Sequence, residues 1–304
     1  MAAVLLGLCV ASNADAARKH RRQSRAAIAD TIRSSTCDRT CLNAFLDRYI
    51  EALIAHDPER VELAPGFRST ENDISVPAGA GLWRSVTDIG AYRIRAIDTV
   101  THEAAFLGVL IEGERSTPFV LRLKVHKRRV VEAETIIARD AADMPADAGL
   151  RLGNVRRVYA DRIDPEDRVP RATMIRVARA YYAGVESRGG DAALFAEDCQ
   201  RIDNGVARPC REEITPGESG AERFSDHRLP LVDEERGIVV TFMRQRQPAP
   251  SSCAGTSASG TVCPSADAPP TSVDLAEFMR LGDGRIHALE SVQAELPSGL
   301  AIGW

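Results

Sequence analysis

The chain has 304 residues, of which 44% are hydrophobic, 27% charged and 5% aromatic. That is ordinary globular composition, long enough for two domains of about 100–200 residues, and it excludes a disordered chain. The formal net charge of −4 argues against a chain built as a whole to neutralise phosphates, so no nucleic-acid partner is expected.

Taken in chain order, Ala2 to Ala11 is a short apolar run, and Ala14-Asp15-Ala16 supplies an A-x-A cleavage pattern. Together they predict a signal peptide over residues 1–16, although no Lys or Arg precedes the run. The run is too short to span a bilayer, so no stable membrane insertion is expected. The expectation is export to a periplasm or the medium; the alternative is a disordered N-terminal tail on a cytoplasmic protein. Residues 17–36 are basic around Arg18 to Arg25 and read as a solvated tail. Seven cysteines are present, and removing Cys9 leaves six, which suits disulfides. Local spacing suggests Cys199–Cys210 and Cys253–Cys263. Cys37 and Cys41 either pair with each other or remain thiols.

The next signal is a helix. Leu42, Phe45, Leu46, Tyr49 and Leu53 form one amphipathic face. Met174, Val177, Ala178, Tyr181 and Val185 repeat that spacing 132 residues later. The displacement carries through Ala64 and Ala196, Glu71 and Asp203, Asn72 and Asn204, and Pro77 and Pro209. Phe119 to Val125 then reads as a strand, followed after a turn by Arg129 to Ile136. In the second half Val273 to Leu281 alternates, Asp283-Gly284 marks a hairpin, and Arg285 to Val292 follows. Arg129 and Arg285, like Glu134 and Glu290, stand 156 apart. The 24 extra residues are assigned to the Pro/Ser/Ala/Thr-rich segment 245–272, which lacks the apolar content to bury a core. The expected organisation is a first unit over 37–140, a linker over 141–169 and a second unit over 170–304. Helices first and hairpins after mean α+β.

A helical start, an acidic-Asn segment (Glu71-Asn72-Asp73; Asp203-Asn204-Gly205) and a closing meander resemble the NTF2-like superfamily, particularly its SnoaL-like branch. Cys37-Asp38-Arg39-Thr40-Cys41-Leu42, Gly81-Leu82-Trp83-Arg84 and the ending Ser298 to Trp304 look like a tandem branch of bacteria and fungi. The resemblance spans Cys37 to Trp304. It implies two tandem cones, each a strongly bent antiparallel sheet wrapped around N-terminal helices, with a pocket at the mouth. The superfamily holds isomerases, dehydratases, hydrolases, cyclases and pure binding modules, so a pocket is implied and a reaction is not.

No nucleotide, nucleophile-elbow or zinc-protease motif is present. Catalysis is therefore expected to be cofactor-free proton transfer, by a lyase, isomerase or hydrolase acting on a small hydrophobic or aromatic molecule. Glu290 and Glu277 each lie among alternating apolar strand residues, where burial would raise a carboxyl pKa toward neutrality. The plain alternative for Glu290 is an ion pair with an Arg such as Arg285. His227 is a candidate base or an exposed loop residue. Asp203 is a candidate catalytic carboxylate, and Asn204 either a ligand contact or a turn residue. Tyr182 is a candidate ligand donor because the first unit has Ile50 there. Trp83 with Arg84 could contact a ligand, or could be a core Trp beside a surface Arg. Tyr182, His227 and Glu277 have no evident counterparts in the first half, so function is expected in the second. The competing classes are a non-catalytic binding protein and a homodimer formed through open sheet faces.

Overall fold

A computed structural model describes residues 37–139, 155–187, 191–210, 223–246 and 272–296. The expected signal peptide, the basic tail, Cys253, Cys263 and the segment 297–304 lie outside them. Asp38 starts the first helix, α1 (Arg39–Ile54), by accepting the Cys41 amide at 2.9 Å. Its stripe of Leu42, Phe45, Leu46, Tyr49 and Leu53 is buried, and His56 closes it in the left-handed region at φ 56°. Then come β1 (Leu63–Glu71), β2 (Ile74–Ser75), a single helical turn α2 (Leu82–Ser85), and a meander of β3 (Asp88–Asp98), β4 (Glu103–Glu112), β5 (Arg115–His126) and β6 (Arg129–Ile137). After the short α3 (Arg157–Ala160) the pattern recurs. It runs α4 (Arg171–Ser187), β7 (Phe195–Asp203), β8 (Val206–Arg208), β9 (Arg223–Asp233), β10 (Ile238–Arg246), β11 (Ser272–Gly282) and β12 (Arg285–Leu296).

The chain is thus α+β with two six-stranded sheets of the same topology, β2-β1-β6-β5-β4-β3 and β8-β7-β12-β11-β10-β9. Each sheet is mixed, which corrects the purely antiparallel expectation. β1 runs parallel to β6, and β7 parallel to β12, because the chain crosses to the far edge before the meander returns. The repeat also needs a third displacement. Asp88 and Arg223, like Asp98 and Asp233, stand 135 apart, so three of the extra residues precede β9 and only 21 separate β10 from β11.

One face of each sheet is covered by its own helix. Leu42, Phe45 and Leu46 of α1 pack with Phe106, Phe119 and Leu121, while Met174, Val177 and Tyr182 of α4 pack with Val239, Met243 and Met279. The opposite faces pack against each other in a third cluster that includes Tyr92, Leu107 and Val120 from one sheet and Val240, Phe242 and Phe278 from the other. Burial on both faces explains why β4 is buried without a break from Glu103 to Leu110.

The two units grip each other reciprocally. Arg171, at the start of α4, reaches Asp98 of β3 at 2.6 Å, and Asp98 also accepts the Val232 amide at 2.9 Å. Arg39, at the start of α1, pairs with Asp233 of β9, which accepts the Ile97 amide at 2.8 Å. Burial pushes the Asp98 carboxyl up, but Arg171 and the Val232 and Val100 amides outweigh it and hold the group below its ordinary range. Each partner in one clamp is the repeat equivalent of a partner in the other, as in an isologous dimer interface.

Candidate functional site

The helix-covered face of the second sheet carries a row of polar side chains. Thr241 of β10 lies opposite Glu277 of β11, Glu277 opposite Ser291 of β12, and Ser291 opposite Asp203 of β7. The corresponding row of the first sheet is Phe106, Leu121, Thr135 and Glu71. The hydroxyl–carboxylate half of the row belongs to both units. The Thr241–Glu277 half replaces two packed apolar residues and is peculiar to the second.

α4 lays Tyr182 over this asymmetric half, where α1 has Ile50. The Tyr182 hydroxyl donates to Glu277 Oε2 at 2.5 Å and lies 2.6 Å from Thr241 Oγ1. Glu277 is 2% exposed and Tyr182 3%. Burial is the largest influence on Glu277 and raises its pKa to about 7; Arg201 and the Tyr182 hydroxyl pull it down, and Asp203 pushes it up. The Tyr182 hydroxyl is itself driven well above its ordinary range, first by burial and then by Glu277. His227 of β9 sets its ring edge-on to Tyr182, with centroids 4.4 Å apart. Its Nε2 is buried and has no hydrogen-bond partner among the described residues. Burial lowers the His227 pKa, with Arg179 acting in the same direction and Glu186 opposing. A neutral imidazole, a phenol and a carboxyl poised near neutrality are thus brought together.

At the other end of the row Asp203 accepts Ser291 Oγ at 2.7 Å and pairs with Arg201 Nε at 2.9 Å. Cys199, Arg201 and Asp203 alternate on one face of β7, and the Cys199–Cys210 disulfide bonds β7 to the residues just after β8. That bond agrees with the spacing argument. Cys37 and Cys41, left open by the sequence, also form a disulfide, at the start of α1.

Other candidates are placed elsewhere. Glu290 is 1% exposed, but it faces the opposite sheet. It accepts Tyr92 Oη at 2.5 Å and pairs with Arg156, which precedes α3, rather than with Arg285. Its repeat equivalent Glu134 is also between the sheets, held by Arg122 at 2.8 Å and by Arg228. A cavity of about 20 Å³ there, lined in part by Asp73, Glu134, Arg244 and Asp274, has room for about one water. Asn204 sits at φ 47°, and its side chain bonds both the amide (2.8 Å) and the carbonyl (3.1 Å) of Gln293 on β12. Asn72 does the same to Ile137 at 2.7 and 3.1 Å, so this amide extends the strand pairing in both units. Trp83 is buried edge-on to Tyr49 at 5.2 Å, and exposed Arg84 donates to the Gly79 carbonyl. Glu71 is engaged by the Leu82 amide at 2.7 Å, so α2 closes over the first unit's row.

Sequence reading missed Thr241, Arg201 and Ser291. Thr241 would have emerged from a displacement of 135, which aligns it with Phe106. Among the described residues no group of three or more His, Cys, Asp or Glu side chains is arranged to hold a metal ion. No helix among them is long and apolar enough to cross a membrane.

Comparison with known proteins places a family described as a domain of unknown function, DUF8021, on residues 167–293, which is the second unit. No curated protein matches the chain. Two solved structures are similar over one unit's worth of chain. One is a protein of unknown function with a cystatin-like fold from Methylobium petroleophilum PM1, 16% identical, covering 36% of this chain and 84% of its own, with a TM-score of 0.30. The other is described as a "putative polyketide cyclase" from Xanthomonas campestris pv. campestris, 15% identical, covering 40% of this chain and 90% of its own, with a TM-score of 0.29.

Proposed function

We propose that the protein is an exported tandem NTF2-like chain whose second unit performs acid–base chemistry on a small hydrophobic or aromatic molecule without a cofactor, while the first unit serves as scaffold. The observation that carries this reading is the substitution of Phe106, Leu121 and Ile50 by Thr241, Glu277 and Tyr182 at matched positions. Replacing packed apolar side chains by a buried polar network costs stability unless every group finds a partner, so its presence in one unit alone supports a use. Glu277 is the proton-transfer group, since a pKa of about 7 lets it act as acid or base near neutral pH. Tyr182 is the phenol beside it, and His227 supplies a neutral ring nitrogen. Asp203 orients Arg201 and Ser291. In an isomerase the proton taken by Glu277 returns to another carbon of the same molecule; in a lyase it leaves with the departing group. Glu290 belongs to the contact between sheets in this reading. Export is supported by the two disulfides. Homodimer formation would need a face other than the inner sheet faces, which already cover each other.

Methionine makes the proposal easy to test. Met174, Met243 and Met279 all line the second unit's core, and the first unit has no methionine. Methyl-labelled protein titrated with small aromatic fragments should shift these methyl signals and leave Ile50 and Ile89 unmoved. E277Q should reduce those shifts and E290Q should not. Shifts confined to first-unit isoleucines, or unaltered by E277Q, would contradict the assignment. Binding that survives in a protein with no turnover of any bound compound would favour the non-catalytic alternative.

A further inference from the structure

We infer that the natural ligand of the second unit is a small apolar molecule bearing a protonated amine, bound with Glu277 as its counter-ion. This rests on the reading that the helix-covered face of the second sheet is a ligand site, and it names the class of ligand.

Among the described residues, two carboxylates, Asp203 and Glu277, share this face with one guanidinium, Arg201. Arg201 spends its Nε on Asp203 at 2.9 Å. Glu277 feels the Arg201 charge, which pulls its carboxyl down less than burial pushes it up, and among the described residues it receives a phenol hydrogen bond and no hydrogen-bonded cation. A buried carboxylate in that position needs either a proton or a positive charge brought by a partner. His227 does not supply the charge, because burial favours its neutral form. On α4, Arg179 and Glu186 act on His227 with opposite signs. An anionic ligand would meet two carboxylates and is disfavoured.

The apolar surroundings point the same way. Tyr181 and Tyr182 stand edge-on at 4.8 Å, Tyr181 and Phe195 at 5.9 Å, and Tyr182 and His227 at 4.4 Å. The ring that touches Glu277 is that of Tyr182, and an aromatic neighbour favours an organic cation over an anion. The first unit has Leu121 in place of Glu277, so its scaffold role needs no such charge. An ammonium ligand would also favour the ionised form of Glu277, so binding is coupled to loss of its proton.

The test is calorimetry on the full chain with three probes of similar size: benzylamine, benzyl alcohol and benzoate. Benzylamine should bind best, and its affinity should rise about tenfold between pH 6 and pH 8, because only ionised Glu277 is competent. Close to one proton should be released at pH 6. E277Q should abolish both the preference and the pH dependence. E277L, which installs the first unit's residue, should fold and also lose amine binding, and so guards against a folding artefact in the glutamine variant. Benzoate or benzyl alcohol binding as tightly as benzylamine would overturn the amine inference while leaving the ligand-site reading intact. Binding of none of the three at millimolar concentration would overturn the inference, and the methyl titration would then judge the ligand site separately. Amine binding unchanged in E277Q and E277L would also overturn it.

Discussion

At the scale of single residues, Glu277 is the group whose position has the largest consequences. Its carboxyl is held at about 7, against an ordinary value near 4.5, chiefly by burial. The folded chain therefore keeps a proton that the unfolded chain has already released. Between those two values the folded state binds more protons, so stability falls as pH rises and levels off above about 7. Asp274, raised to about 7 first by burial and then by Asp73, acts in the same direction. Urea denaturation at pH 5 and pH 8 should show the wild type less stable at pH 8. E277Q should lose less, narrowing the difference by roughly 2–3 kcal/mol at 1.4 kcal/mol per unit. An unchanged pH dependence would show that Glu277 ionises freely. Glu290 illustrates a residue whose environment the sequence described correctly and whose location it did not. Alternation placed it among Ile286, Ala288, Val292 and Ala294; the last three do share its face, whereas Ile286, beyond a register shift, packs in the helix-covered core. Alternation does not say whether that face meets a helix or another sheet, and here it meets another sheet.

At the scale of elements, the two helices and the closing hairpins were legible because each repeats a periodicity at constant displacement. α1 and α4 begin 132 residues apart, as do β1 and β7. β1 and β7 themselves were obscure. Leu63–Glu71 contains Pro65 and Gly66, and its parallel partner β6 is far away in sequence, so no local pattern reports the pairing. The shift to a displacement of 135 falls just before β9, and it hid the alignment of Thr241 with Phe106. Tyr182 and Glu277 were found because they depart from their repeat equivalents. Arg201 departs too, standing where the first unit has Ser69, yet an Arg on a strand is indistinguishable from a solvated one until its burial is known. Asn72 and Asn204 show the converse, since their recurrence reflects a backbone requirement of the scaffold. Both adopt φ 47° and both bridge to the neighbouring strand.

At the scale of the molecule, the two sheets form an internal pair whose contact is closed by the reciprocal Arg171–Asp98 and Arg39–Asp233 clamps. Asp98 and Asp233 are 1% and 0% exposed, whereas their arginines are partly solvated. Replacing either carboxylate by an amide removes the charge beside its arginine and weakens a buried amide's acceptor, although Arg39 keeps Glu235 and Arg171 keeps the Val232 carbonyl. D98N and D233N should each lower stability by about 1–3 kcal/mol in urea denaturation. The two losses should resemble each other, since the clamps are repeat equivalents. A loss below about 0.5 kcal/mol in both would show that the apolar contact alone holds the units together. This arrangement frees the two helix-covered faces to diverge: in the first, Glu71 acts on the buried Tyr49 through charge alone, whereas in the second the buried acid Glu277 is hydrogen-bonded by the phenol of Tyr182.

The central claim is that this buried acid is poised near neutral pH in the second unit. Carbon-13 NMR of glutamate carboxyls, recorded from pH 4 to pH 9 on the full chain and on E277Q, tests it most directly. The account predicts one carboxyl signal in the wild type with a midpoint near 7 that is missing from E277Q. A Glu277 signal titrating at the ordinary glutamate value would contradict it.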